Sequence, residues 1–235
     1  MKQNILTICL TLIAALICGC NQNNSQYGTE AQLELQGERR QIWAIAPAVN
    51  LSGQRQVDAL LQADVVYGQL QQIENLTVVP VNRVVEVYAS LRIDRVSSPE
   101  QAALVCDLLG CDALVVPTIT LYDPYVPPKF GGSLQLFGKP GWYIRPTNVD
   151  PRELARRASP PLGQSVPQAD FLQAVGMFDA ANGSTRDALN FYATGRHDPV
   201  GPLGAKEYMV SMERYCGFAY FTLTRDLLSQ LDKRQ

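Results

Sequence analysis

The chain has 235 residues, of which 46% are hydrophobic and 18% charged, and its formal net charge is -2. This length suits one ordinary domain with appendages, and the apolar content and near-balanced charge exclude a disordered protein. The slightly negative charge argues against nucleic acid as the main partner, because nucleic-acid-binding domains usually carry a basic face. The single histidine, His197, excludes a histidine-rich metal site.

The first 19 residues have the pattern of a secretory signal. Lys2 is their only charge, and an apolar run interrupted by only two threonines extends from Ile5 to Ile17. A positive charge before a short apolar run is typical of an export signal. The run is too short for a permanent membrane span, which takes about 20 apolar residues. The sequence therefore predicts a signal peptide over residues 1–19.

The signal ends in Ile17-Cys18-Gly19-Cys20, which resembles the lipobox of bacterial lipoproteins. The resemblance implies cleavage before Cys20 and lipidation of that cysteine. Several acyl chains then hold the protein on the membrane, since each buried methylene contributes about 0.8 kcal/mol. The alternative is an ordinary signal peptide, with Cys20 paired later in a disulfide.

Residues 20–40 are predicted to form a flexible tether, because they are polar and lack apolar periodicity. In lipoproteins of well-studied bacteria, an aspartate directly after the lipidated cysteine retains the protein at the inner membrane. Asn21 stands at that position here. The resemblance therefore implies anchoring at the outer membrane, facing the periplasm.

Three cysteines follow Cys20 along the chain, namely Cys106, Cys111 and Cys216. An exported protein can form disulfides, but an odd number leaves at least one thiol unpaired within the chain. Cys106 and Cys111 flank a predicted helix end, so one interpretation is a disulfide between them. The other is that all three are small buried residues. The spacing matches neither a redox CxxC motif nor a zinc site.

Residues 41–235 are predicted to form a single domain in which strands and helices alternate. Ser98 begins a capping box followed by Pro99, and Gly110 ends that helix. Pro117 has no N–H, so we expect a sheet edge or a bulge there. Hydrophobic periodicity predicts strands over 42–47, 76–79 and 114–121, and helices over 55–73, 82–91 and 205–232.

Residues 123–168 contain nine of the fifteen prolines. They are predicted to form a long insertion with one short helix near 151–157, and insertions of this length are often functional. Beyond it, residues 171–178 and 186–194 are predicted to form a hairpin around Asn182-Gly183, a strong turn pair. The element order predicts an α/β fold, a two-layer or three-layer sandwich with a mixed sheet and helices packed on it.

Four segments resemble a superfamily of bacterial envelope proteins. The superfamily includes the curli-secretion lipoprotein CsgG, the amino-terminal domain of TolB and the penicillin-binding-protein activator LpoB. The segments are 42–53 (IWAIAPAVNLSG), 78–91 (VVPVNRVVEVYASL), 109–120 (LGCDALVVPTIT) and 178–183 (FDAANG). Together they cover most of residues 41–195 and imply the fold more firmly than an activity. Pro117 departs from the pattern, since the superfamily commonly has glycine there.

Motifs of known catalytic sites are absent from the sequence, including nucleophile elbows, phosphate-binding loops and metalloprotease helices. His197 and Asp198 would suit a general base and its orienting carboxylate. The Asp-Pro pair that they lead into favours a loop turn instead. The sequence therefore predicts a protein that is not an enzyme and that needs no cofactor or metal.

Aromatic residues of the insertion are the candidate partner-binding residues: Tyr125, Phe130, Phe137, Trp142 and Tyr143. Rigid rings bury a large area at a low entropy cost, although the same rings would also pack the insertion onto its own domain. We predict a membrane-anchored, non-catalytic adaptor or assembly factor of the cell envelope that binds envelope proteins. A homo-oligomer is compatible with this prediction. The alternatives are a subunit of a CsgG-like oligomeric secretion assembly and, less favoured, an envelope hydrolase.

Overall fold

The structure, a computed structural model, describes residues 33–35, 40–139, 170–198 and 200–233. The signal peptide, Cys20, Trp142, Tyr143 and the short helix predicted near 151–157 lie outside these ranges. Six strands are described: β1 (Gln41–Ile45), β2 (Val49–Asn50), β3 (Leu76–Val79), β4 (Ala113–Asp123), β5 (Lys129–Gly138) and β6 (Asp170–Asp179). The helices are α1 (Ala59–Leu70), α2 (Val81–Leu91), α3 (Pro99–Leu109), α4 (Gly183–Ala193), α5 (Glu207–Val210) and α6 (Met212–Asp232), with a 3-10 turn at Gly204–Lys206.

The strands form one mixed sheet in the order β3-β1-β4-β5-β6, with β2 beside β4. β1 runs parallel to β3 and β4, whereas β5 runs antiparallel to both β4 and β6. The β5–β6 pairing is continuous over ten residues of each strand, from Lys129 opposite Asp179 to Gly138 opposite Asp170. This mixed sheet with helices packed on it confirms the predicted α/β fold.

Helices cover both faces of the sheet, because successive residues of a strand point to opposite sides. Trp43 and Val115 lie in a large core with α1, α4 and α6. Ala44 and Leu114, their neighbours along the strands, lie in a smaller core with α2 and α3. The described residues therefore form three layers, which is one of the two predicted arrangements.

The caps of α3 are those that the sequence predicts. The Ser98 hydroxyl accepts a hydrogen bond from the N–H of Gln101 at 3.3 Å, and Pro99 is the first helical residue. Gly110 ends the helix with a φ of 67°, in the left-handed region that glycine adopts without strain. Helix α1 is shorter than the predicted 55–73, because the Asp58 side chain caps it by accepting from the N–H groups of Leu60 and Leu61.

Pro117 lies in the interior of the sheet, so the predicted edge position is wrong. The N–H groups of Ala46 and Leu51 donate to the carbonyls of Val115 and Ile119. Pro117 lies midway between those two acceptors, and its backbone nitrogen faces the same side of β4 as their carbonyls. The neighbouring chain is interrupted there between β1 and β2, and the missing N–H therefore breaks no ladder. A shift in the β4–β5 register does occur, but between Ile119 and Leu121.

The predicted insertion begins too early, because residues 129–138 form β5 in the middle of the sheet. Phe130 is fully buried, and its ring meets that of Tyr220 edge-on at 5.2 Å between centroids. Gly132 lies against β4, where a Cβ would come 2.5 Å from the Thr118 carbonyl oxygen. The glycines that suggest a loop are therefore required by close strand contact.

The second strand of the predicted hairpin is wrong, because residues 183–193 form helix α4. The Asn182 side chain accepts hydrogen bonds from the N–H and the hydroxyl of Ser184, both at 3.1 Å. Asn182 therefore acts as a helix N-cap and not as a hairpin turn residue. Leu189, Tyr192 and Ala193 form the buried face of the helix, at helical spacing.

Candidate protein interaction surface

The outer edge of β6 is open in the part of the chain that the structure describes. Since residues 183–193 are helical, β6 is the last strand of the sheet and only β5 pairs with it. An edge strand presents a row of N–H and C=O groups that can pair with another chain. The open edge is thus a direct result of the helix that replaces the predicted second hairpin strand.

The direction of the backbone groups of β6 follows from the register of its neighbours. The Val115 carbonyl faces β1, so the backbone groups of the even-numbered residues of β4 face β5. By the β4–β5 and β5–β6 registers, the backbone groups of the even-numbered residues of β6 then face β5. The odd-numbered residues point outward. Independently, the Gln173 carbonyl accepts from the side-chain amide of Gln230 at 3.0 Å, on the side away from β5. The N–H groups of Val175 and Met177 therefore face the open edge.

The exposed side chains of β6 are apolar. Phe171, Val175 and Met177 expose 36%, 69% and 74% of their surface. Between Phe171 and Phe178 the strand has no charged residue and no proline, although natural proteins commonly use both to protect a strand edge. We call these three side chains, together with the outward backbone groups of β6, the β6 edge surface.

A groove of about 500 Å³ runs between β6 and helix α6. Such a groove, bounded by an edge strand and a helix, is where an extended peptide can add itself to a sheet. Arg225 and Asp226 give it one charge of each sign. Its lining residues are Val175, Gly176, Met177, Phe178, Thr222, Leu223, Arg225, Asp226 and Ser229.

The aromatic residues that the sequence singles out do not form one surface. Tyr125 is 80% exposed in the turn between β4 and β5. Phe137 is half-buried and packs against Phe171, with 5.1 Å between the ring centroids. Phe130 lies in the core, so its assignment as a partner-binding residue is wrong. Trp142 and Tyr143 lie outside the described residues. The sequence feature that could have indicated the β6 edge surface is the run of residues 171–178, which has apolar residues at both odd and even positions.

A second concavity of about 420 Å³ lies between α1 and α6. Its aromatic wall is formed by Tyr192 and Tyr208, whose rings meet edge-on at 5.7 Å. Arg214 lies beside Tyr208 and forms an ion pair with Glu207 at 2.9 Å. Within the described ranges no group of three metal-binding side chains occurs.

His197 and Asp198 have separate partners. The Nδ1 atom of His197 donates to the Ala193 carbonyl at 2.8 Å, which fixes the ring against the end of α4. The Asp198 carboxylate accepts from the N–H of Val200 at 2.9 Å. The structure thus gives both side chains roles in the turn and does not assemble them as a base with its orienting carboxylate.

Cys106, Cys111 and Cys216 are buried, and each carries a free thiol in this structure. The interaction with the Cys111 thiol, reinforced by burial, raises the pKa of Cys106. The same interaction lowers the pKa of Cys111 against the effect of burial, and the Lys139 ammonium helps to lower it. Lys139 itself is held by an ion pair with Asp107 at 2.8 Å.

Among the described helices, none is long and apolar enough to cross a membrane. No known protein family matches the sequence, and no curated protein is similar to it. Solved structures do show similarity. One is the LpoB C-terminal domain from Salmonella enterica, at 13% identity and a TM-score of 0.35, covering 43% of this chain and 73% of that one.

Two further similar structures are oligomer-forming or lipoprotein chains by name. Lipoprotein GNA1162 from Neisseria meningitidis is 14% identical with a TM-score of 0.37, and the match covers 60% of this chain and 84% of that one. The PelC dodecamer from Paraburkholderia phytofirmans is 9% identical with a TM-score of 0.36, and covers 86% and 93%. The likeness to CsgG and TolB stays a prediction.

Proposed function

We propose that this protein is a bacterial envelope lipoprotein that acts as a non-catalytic adaptor. Its anchor is the lipidated Cys20, at the outer membrane and facing the periplasm. The observation that carries the adaptor role is the open β6 edge surface, an apolar and uncharged strand edge beside a groove. An edge of this kind favours pairing with another chain unless something covers it.

The partner that this surface suits is an extended segment of an envelope protein that adds one strand to the sheet. Its backbone would pair with the outward N–H and C=O groups of β6, and its side chains would alternate between the groove and the exposed face. Because the edge from Phe171 to Phe178 has no charge, the matching segment is uncharged and apolar at alternate positions. A second copy of the chain is the other occupant that the test below distinguishes.

The tether gives the domain a limited reach from the membrane. Leu33 and Leu35 are buried in the large core, so the predicted tether ends before residue 33 and not at residue 40. The preceding residues 20–32 are mostly polar, and a flexible chain of that length has an end-to-end distance of roughly 20 Å. The domain would therefore stay near the membrane surface but rotate freely. An adaptor of this kind meets partners that lie in, or close to, the same membrane.

Cys20→Ser is expected to release the protein from membranes, because serine offers no thiol for lipidation. The wild-type chain should sediment with membranes and incorporate an alkyne-labelled fatty acid. Asn23→Ser, a matched substitution in the tether, should behave as wild type. The circular dichroism of the released variant should match the wild-type spectrum. A Cys20→Ser protein that stays membrane-bound would contradict the proposed anchor.

Val175→Pro is expected to abolish partner binding while leaving the domain folded. The N–H of Val175 faces the open edge, so proline removes a donor for an incoming strand without breaking the β5–β6 ladder. The measurement is crosslinking in cells from a photoreactive residue placed at position 177 of the full chain. The product seen with the wild-type chain should fall at least tenfold.

Two further variants make this test specific. Val175→Thr keeps the N–H and the branched shape and should retain the crosslink. Ala174→Pro removes a donor that faces β5 and should unfold the domain. An undiminished crosslink in Val175→Pro would rule out strand addition. Crosslinks only between copies of this chain would replace the adaptor with a homo-oligomer.

A further inference from the structure

The turn between α3 and β4 brings two cysteines together. The N–H of Gly110 donates to the Asp107 carbonyl at 3.3 Å, and the N–H of Cys111 donates to the Cys106 carbonyl at 3.0 Å. This pair of bonds, with Gly110 in the left-handed conformation, is the Schellman ending of a helix. In that motif the residue four positions before the left-handed residue contacts the residue directly after it, usually through apolar side chains. Here the two residues are Cys106 and Cys111.

The surroundings of the two sulfur atoms hold them in place. Cys106 and Cys111 are each 1% exposed and lie in the core between the sheet and helices α2 and α3. The Cys111 N–H donates to the Cys106 carbonyl and both side chains lie in the same buried cluster, so the two thiols are neighbours. Beside them Lys139, which follows β5, bonds to Asp107 and its N–H donates to the Asp112 carbonyl at 3.1 Å. The turn is therefore fixed on both sides.

We propose that Cys106 and Cys111 are a modification site at which the two thiols close to an intramolecular disulfide. The oxidant is a protein disulfide of a thiol oxidoreductase in the exported compartment, so the inference rests on the export assumed under the proposed function. Because both thiols are buried in the folded domain, the exchange takes place while the chain folds. The Cys111 thiolate attacks the oxidant disulfide, forms a mixed disulfide and releases one oxidant thiolate. Cys106 then loses its proton and attacks the Cys111 sulfur, which expels the second oxidant thiolate. The two cysteines lose two protons and two electrons, and the oxidant becomes a dithiol.

The local bridge also assigns the other cysteines. Cys216 is buried in the larger core, whereas Cys106 and Cys111 lie in the smaller one, so Cys216 stays a thiol. A chain cleaved before Cys20 then has no further cysteine left to pair with Cys20. The lipidated form of Cys20 and the Cys106–Cys111 disulfide are mutually consistent, and together they resolve the odd number of cysteines.

The test uses the full chain produced with its own signal and purified in detergent. Free thiols are alkylated under denaturing conditions before and after reduction, and the modified peptides are identified by mass spectrometry. Only Cys216 should be alkylated before reduction, and the peptide with both other cysteines should be lighter by two hydrogen atoms. Cys106→Ala should leave Cys111 open to alkylation, whereas Cys216→Ala should keep the bridge.

A second sample separates this inference from the question of export. The same purified chain is reduced in denaturant and then refolded in the presence of oxidised glutathione. If the bridge forms in this sample but is absent from the chain purified from cells, the result supports the pairing of the two cysteines and contradicts the proposed export. Two alkylatable thiols at Cys106 and Cys111 in both samples overturn the inference. Reduction should also lower the Tm of the wild-type chain by about 5 °C, but not that of Cys106→Ala.

Discussion

Gly132→Ala is expected to destabilise the protein by about 3 kcal/mol or to prevent its folding, which is the upper range for an overpacked core site. A Cβ at this position would lie 2.5 Å from the Thr118 carbonyl oxygen and 3.1 Å from the Phe130 ring. The carbonyl belongs to the backbone of the neighbouring strand and cannot rotate away. The strands would have to separate, and the β4–β5 pairing in the centre of the sheet would weaken.

Gly68→Ala is the matched control for this prediction. Gly68 lies within helix α1, and a Cβ there would meet nothing within 4 Å. Alanine should therefore stabilise the helix by about 1 kcal/mol, the usual difference between the two residues. Urea unfolding of the two variants measures both effects. Equal stabilities for Gly132→Ala and the wild type would contradict the close strand contact.

Gln62→Leu is expected to lower the free energy of unfolding by about 2 kcal/mol, because it leaves buried polar atoms without partners. Gln62 is only 3% exposed. Its side-chain oxygen accepts from the Tyr220 hydroxyl at 3.0 Å. Leucine fills nearly the same volume, so the loss comes from hydrogen bonding and not from a cavity. Burial already raises the pKa of Tyr220 well above its usual value.

Tyr220→Phe in the same chain is expected to restore most of this loss. Replacing both partners of a buried hydrogen bond by apolar groups can be nearly neutral, whereas removing one partner leaves the other unsatisfied. A double-mutant cycle measured by urea unfolding should therefore give a coupling of about 1 kcal/mol or more. If the two losses simply add, the hydrogen bond between Gln62 and Tyr220 does not contribute to stability.

The elements that the sequence predicts well are those with local signals. Ser98, Pro99 and Gly110 determine the ends of α3 through their own hydrogen bonds and backbone angles. Strand β1 and the first half of β4 are apolar runs that are buried on both faces, so their pattern is simple. In each of these cases the cause of the structure lies within a few residues of the element itself.

The elements that the sequence misses depend on distant residues or on ambiguous signals. The pair Asn182-Gly183 suits a hairpin turn, but the Asn182 side chain equally suits a helix N-cap. Strand β5 contains two adjacent glycines, a pattern that by itself indicates a loop. Only the three-dimensional structure shows that Gly132 is needed because the Thr118 carbonyl lies beside it. Burial of Phe130 follows from that tertiary placement. Short-range patterns carry no information about which strand comes next in the sheet.

The candidate surface was hidden for the same reason. Residues 171–178 are predicted as a strand, and they are one. Whether Val175 and Met177 are covered depends on the conformation of residues 183–193, which lie further along the chain. An edge is defined by a missing neighbour, and a single sequence shows a missing neighbour only through the conformation of other segments.

The pairing of Gly138 with Asp170 has a consequence for the chain between them. Since β5 leaves the sheet where β6 enters it, residues 139–169 start and finish at adjacent points. The register of the two strands is determined by their ten paired positions and is independent of the connection. In general, each doubling of the length of a loop costs only about 0.6 kcal/mol in closure entropy. This place in the architecture can thus gain or lose sequence during evolution, or accept an inserted tag, while the sheet stays the same.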